Sequence, residues 1–104
     1  MTEALATLAF VALDHGIESV REGGPLIPFA IHEGLDGERN LTRFVAEREK
    51  EGEARAREFA RQNIADGRVA IAWDGYLTVD GDRADAILVE APWRAERPVR
   101  ALAV

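Results

Sequence analysis

The chain has no cysteine, one methionine, a single serine at Ser19 and a single lysine at Lys50. Without cysteine there can be no disulfide, no thiolate nucleophile and no cysteine-bound zinc. Ser19 falls inside a helical pattern, outside any nucleophile-elbow context, which argues against a serine hydrolase. Basic residues are also scarce: 13 Lys and Arg face 19 Asp and Glu, for a formal net charge of −6. Affinity for a phosphate backbone comes mostly from Lys and Arg, so a nucleic-acid partner is not expected. No long hydrophobic run is present. Met1 to Leu13 is rich in Ala and Leu but too short to span a bilayer. It lacks a basic start, carries Glu3, and runs into Asp14-His15-Gly16 without a small-residue cleavage site. It reads as a buried helix, not a signal peptide. Together these absences predict a cytoplasmic protein with no membrane partner.

What is present is ordinary for a globular domain: 104 residues, 47% hydrophobic and 31% charged. No repeat, low-complexity stretch or linker divides residues 1–104, so one domain is expected. The first helix is predicted over about Thr2 to Arg21. Phe10, Leu13, Ile17 and Val20 form one stripe at helical spacing, and Leu5, Leu8, Ala9 and Ala12 fill a neighbouring one. Such a wide apolar arc predicts burial on more than one side. Gly23-Gly24-Pro25 ends this helix. Pro25 to Gly34 then alternates as a strand and Asp36-Gly37 marks a tight turn. Asn40 to Val45 is the return strand. A two-residue loop sets Phe29 opposite Phe44 on the inner side, with His32 and Arg43 on the other face.

Glu47 to about Asp66 is predicted as a second, highly charged helix. Its apolar stripe is thin: Ala56, Phe59, Ala60 and Ile64. Glu51 with Arg55 and Glu53 with Arg57 are favourably spaced ion pairs. Gly52 weakens the helix by about 1 kcal/mol relative to Ala. The last third is β-rich: Val69 to Val79, a turn at Asp80-Gly81-Asp82, Arg83 to Trp93, and a short strand over Pro98 to Val104. A two-residue loop would pair Trp73 with Leu88 and Ile71 with Glu90, mixing the faces. A three-residue loop pairs Trp73 with Val89 and Ile71 with Ala91, which keeps the apolar set together and is the register expected. The order α-β-β-α-β-β-β predicts an α+β fold, a mainly antiparallel sheet of about five strands with both helices on one face.

Gly23-Gly24-Pro25-Leu26-Ile27-Pro28-Phe29, Arg43-Phe44-Val45, Asp74-Gly75-Tyr76 and Asp85 with Val89-Glu90-Ala91 resemble a group of small bacterial proteins usually described only as uncharacterised. The resemblance implies a shared fold. It implies no activity and transfers no functional residue. Where a Gly-rich polar turn is expected after Glu90-Ala91, this chain has Pro92-Trp93-Arg94.

Candidate chemistry is sparse. Asp14-His15 and His32-Glu33 each place an imidazole beside a carboxylate, as a base and its orienter or part of a metal site would require. No third ligand has suitable spacing, and neighbouring strand residues point to opposite faces. Asp85 and Glu90, five apart on one strand, also point to opposite faces, against a metal-dependent nuclease. Gly23-Gly24 precedes a strand, whereas a phosphate cradle opens a helix. No catalytic residue, metal or cofactor is therefore expected, and an enzyme is the less favoured reading.

The leading expectation is a non-enzymatic interaction protein, a homodimer joined through an open sheet face. That face would carry Leu26, Ala30, Leu41, Ala72 and Leu88, because contiguous exposed apolar surface usually marks an interface. The alternative is a ligand-binding domain or small enzyme using the same face as a pocket floor. His32, Arg43, Asp74, Tyr76 and Glu90 would then be its polar anchors. Arg43 is expected to pair with Glu90 or Asp74. A third reading is an acidic adaptor or inhibitor that docks a basic protein through the Glu-rich second helix.

Overall fold

The computed structural model describes residues 3–23, 25–92 and 98–103, the last six and Val79 and Pro92 by backbone only. Thr2, Trp93, Arg94 and Val104, expected at the ends of elements or in the turn after the fourth strand, lie outside the described residues. The elements run α1 (Glu3–Arg21), β1 (Phe29–Gly34), β2 (Arg39–Arg43), α2 (Glu49–Asn63), β3 (Gly67–Val79), β4 (Asp82–Pro92) and β5 (Pro98–Ala103). A single 3-10 turn, Ile64–Asp66, joins α2 to β3. The strands form one antiparallel sheet in the order β2-β1-β3-β4-β5. The fold is α+β, with β1 inserted beside β3 and the long β3–β4 hairpin at its centre.

The two helices lie on opposite faces of this sheet, which corrects the expectation that both pack on one. Strand side chains alternate between faces. Phe29, Ile31, Ala70, Ala72, Ile87 and Val89 share the face that meets Leu5, Leu8, Ala9 and Ala12 of α1. Ala30, Val69, Ile71 and Trp73 share the other, against Ala56 and Ala60 of α2 with Phe44, Phe59 and Leu88 alongside. Full burial of a side chain such as Leu8 or Phe29 is worth about 1.5–3 kcal/mol. In α1 the Leu5, Leu8, Ala9, Ala12 stripe is the buried one, while Phe10 points away from the core and is 61% exposed.

Both hairpin registers differ from the expected ones by one residue. The β3–β4 turn has two residues, Asp80 and Gly81, with φ of 51° and 84°. Two consecutive positive φ values are the signature of the hairpin turn that Asp-Gly favours. Trp73 therefore stands opposite Leu88 and Ile71 opposite Glu90. The β1–β2 turn has three residues, Leu35 to Gly37, closed by Gly37 N–H donating to Gly34 O at 2.9 Å and Gly34 N–H to Glu38 O at 2.9 Å. Gly37 has φ 86°, which a three-residue hairpin with a glycine bulge requires. Phe29 consequently stands opposite Arg43, not Phe44. The expected registers assumed one buried face. With a helix on each side both faces need apolar residues, so a register that divides them is not penalised.

The proposed interface dissolves for the same reason. Leu26, Ala30 and Ala72 are buried inside the chain. Leu41 packs against the α1 core and Leu88 against the α2 core, each half-buried. By register Ala72 and Leu41 belong to one face, Ala30 and Leu88 to the other. These five residues do not form a single open surface.

α2 sits unusually close to the chain beneath it. A Cβ on Gly52 would lie 2.7 Å from the Phe44 carbonyl oxygen and 3.1 Å from Pro28 Cγ. Only glycine permits that approach. The residue that costs helix propensity is the one that seats the helix.

Candidate functional site

The residues expected to act as polar anchors are distributed over both faces. His32 lies on the α2 face, and its Nε2 is buried with no hydrogen-bond partner among the described residues. Arg43 lies on the α1 face, where Nη2 is 3.4 Å from His15 Nε2. The His15 ring meets Phe29 edge-on at 5.0 Å. Asp74 stands opposite Ile87 on β4, hence on the α1 side by register. Tyr76 is 56% exposed, with the Arg83 guanidinium 3.4 Å above its ring. Glu90 lies under α2, 4% exposed. Arg43 therefore pairs with neither Glu90 nor Asp74. The one-residue register shifts put Arg43 and Glu90 on opposite faces.

Glu90 is met instead by Arg57 of α2, Nη1 to Oε1 at 2.6 Å. Arg57 Nε also reaches Glu53 Oε2 at 3.2 Å, and its guanidinium lies 4.6 Å from the centre of the Trp73 ring. Burial alone would lower the pKa of Arg57. Its bonds and charge contacts with Glu90, and then with Glu53, outweigh that and raise it above the usual arginine value. The arrangement is a fixed charge network in which one guanidinium is held by two carboxylates over an aromatic face. Arginine does not release its proton, so this network binds and positions and does not carry protons.

Arg57 as the partner of Glu90 was missed from sequence, although its spacing from Glu53 was noted. One further signal was available: Arg57 follows Ala56, so it borders the helix stripe that faces the sheet. Which strand residue it would meet depended on the β3–β4 register.

Next to the network is a cleft of about 290 Å³ lined by Glu49, Lys50, Glu53, Trp73, Asp74, Gly75, Tyr76 and Leu88. It lies where the first turns of α2 overhang β3 and β4. Glu49, Lys50 and Glu53 of α2 meet Trp73 and Leu88 of the sheet there, while Asp74 and Tyr76 border it with side chains of the opposite strand parity. Its floor is tight, since a Cβ on Gly75 would lie 2.7 Å from Leu88 Cδ1. A larger groove of about 400 Å³ runs between residues 25–28 and α2, where Ile27 and Val45 expose apolar side chains.

A second buried carboxylate, Glu33, is clamped between strands on the α1 face. Its two oxygens accept from Arg39 Nε and Arg68 Nη1, each at 2.8 Å. Burial pushes its pKa upward, but the bonds and charges of Arg39 and Arg68 prevail and hold it below the usual glutamate value. Arg39 and Arg68 flank Glu33 in register on β2 and β3, so the cluster ties three strands together.

Among the described residues no group of three or more His, Asp or Glu is placed to hold a metal ion. No described helix is long and apolar enough to cross a membrane. No family model, no curated protein and no solved structure matches the chain.

Proposed function

We propose that this is a cytosolic, non-enzymatic interaction protein whose docking surface is the cleft between α2 and the β3–β4 hairpin. The observation that carries this reading is the composition of the cleft: Glu49 and Glu53 of α2 beside Trp73 and Leu88 of the sheet. Aromatic rings in a partly desolvated setting are the usual anchors of recognition surfaces. The carboxylates are of the wrong sign for a nucleic-acid groove. The rigid ion-pair network behind the cleft supports a fixed binding wall, in which Arg57 and Glu90 position Trp73.

The test is an array of immobilised peptides of varied chemistry probed with the labelled protein and with Leu88→Arg. Binding that the wild type shows and the variant loses, with its fold intact by circular dichroism, supports the reading. A screen of metals and metabolites tests the alternative of a small-molecule site. There a ligand at about a hundred times its Kd stabilises by about 2.7 kcal/mol, and a large thermal shift from a metabolite would favour that alternative. The homodimer is a second reading, now on a different surface. It is favoured by the exposed Ile27 and Val45 along the larger groove, and light scattering that gives a monomer would end it.

A further inference from the structure

We propose that two copies of this chain join edge to edge through β2, antiparallel, so that their five-stranded sheets become one. This rests on the homodimer as a reading of function and supplies its contact. β2 is an outer strand of the sheet, and its free side follows from its bonds to β1. Phe44 N–H donates to Pro28 O, and Glu38 O accepts from Gly34 N–H. In an antiparallel ladder bonded and unbonded pairs alternate. With Ile31 opposite Leu41, Asn40 and Thr42 therefore bond to β1. Arg39, Leu41 and Arg43 point their N–H and C=O groups the other way. No described residue bonds to those outward groups. Neither helix overhangs the edge: α1 packs mainly on β3 and β4, and α2 on β1 and β3. Such an edge is a template for another strand. Apolar surface continues past it, since Val45 is 69% exposed and Ile27, in the same groove, 39% exposed.

Charge decides the register. Arginines on an edge usually guard it. A self-pairing centred on Leu41 would set Arg39 opposite the partner's Arg43 on both sides of the axis, and like charges directly opposite are destabilising. A pairing centred on Thr42 keeps the same outward groups bonded and removes that conflict. Leu41 then stands opposite the partner's Arg43, Arg39 opposite the partner's Val45, and Thr42 opposite the partner's Thr42. The arginine stems cover Leu41 and Val45, and two threonines make a favourable cross-strand pair. Arg39 bonds Glu33 through Nε, which leaves its terminal nitrogens to meet the partner's Glu47, exposed two residues beyond Val45. The same patch serves both copies, so the contact closes as a two-fold dimer. Residues 39–45 span about 23 Å, a smaller contact than a permanent dimer uses, so association is reversible.

The experiment follows the wild-type chain by sedimentation from about 1 µM to 1 mM, with amide hydrogen exchange by NMR at low and high dimer fraction. The expected result is a monomer–dimer equilibrium. Exchange at Arg39, Leu41 and Arg43 should slow about tenfold where about nine-tenths of the chain is dimeric. Asn40 and Thr42, already bonded to β1, should not change. The register is read with single cysteines, since the chain has none. Thr42→Cys should cross-link to its partner under oxidation, because facing residues in an unbonded antiparallel pair have Cα atoms about 4.5 Å apart, within disulfide reach. Asn40→Cys, on the same face of the same strand, should cross-link far more slowly. A wild-type chain that stays monomeric overturns the proposal and the homodimer with it. A dimer with unchanged exchange at residues 39, 41 and 43 overturns the β2 contact alone and leaves the groove at Ile27 and Val45. Cross-linking through Asn40→Cys as fast as through Thr42→Cys overturns the register.

Discussion

Removing the Arg57 side chain should be among the most costly single changes outside the apolar core. Arg57→Ala deletes the 2.6 Å bond to Glu90, the 3.2 Å bond to Glu53 and the stacking on Trp73. Glu90 is 4% exposed and stays in place without this partner. Breaking a buried pair from one side costs about 3–5 kcal/mol. The Arg57 side chain is 36% exposed, so the lower end applies, near 3 kcal/mol. The ring contact adds about 0.5–1 kcal/mol, and the half-exposed Glu53 pair a few tenths. The expected loss is about 4 kcal/mol out of a total that for such domains is about 5–15 kcal/mol. It should appear as a fall in Tm of about 15–30 °C and a lower urea midpoint followed by tryptophan fluorescence. Arg57→Met combined with Glu90→Leu should recover most of the loss, because replacing both charges removes the buried carboxylate together with its guanidinium. A variant Arg57→Ala within about 1 kcal/mol of wild type would refute the buried pair as described.

Glu33 predicts a pH effect. Its pKa is held below the usual value by Arg39 and Arg68, so it stabilises the fold above the unfolded-state pKa, and this contribution is lost as pH falls through the lower folded-state value. Glu33→Gln should therefore be less stable than wild type at about pH 7 and approach it at about pH 2.5, measured by urea denaturation at both; a constant difference would contradict the clamp. Gly52→Ala should destabilise the protein even though Ala favours a helix by about 1 kcal/mol, since the new Cβ would meet the Phe44 carbonyl at 2.7 Å. A stabilised variant would show that α2 can retreat freely. Phe29→Ala should cost about 3–5 kcal/mol. Phe44→Ala should cost markedly less, because Phe44 is only half-buried and rests on Phe59 at 5.6 Å. Equal losses would contradict the placement of Phe44 outside the deepest core.

The helices and strands were legible in the sequence because each is specified locally. The Leu5, Leu8, Ala9, Ala12 spacing, the Asp36-Gly37 and Asp80-Gly81 turns, and the alternation through Val69, Ile71 and Trp73 fix element type and order within a few residues. The charged second helix and its Glu53–Arg57 pair were equally visible. The distribution of helices between the two faces was not legible. Ala30, Ala70, Ala72 and Ala86 look like an outer surface only if one face is buried, and small residues fit equally well beneath a closely packed helix. Register followed the same fate, since a slip of one residue reverses every side chain. Arg43 was thereby sent to His15 and Glu90 to Arg57. The sequence by itself thus determined which segments fold and how they alternate, because those depend on neighbours a few positions apart. Only the tertiary structure decided that α2 covers the second face, that Glu90 meets Arg57 there, and that a cleft opens beside Trp73. Those contacts join residues as far apart as Arg57 and Glu90, and their energies belong to neither segment alone.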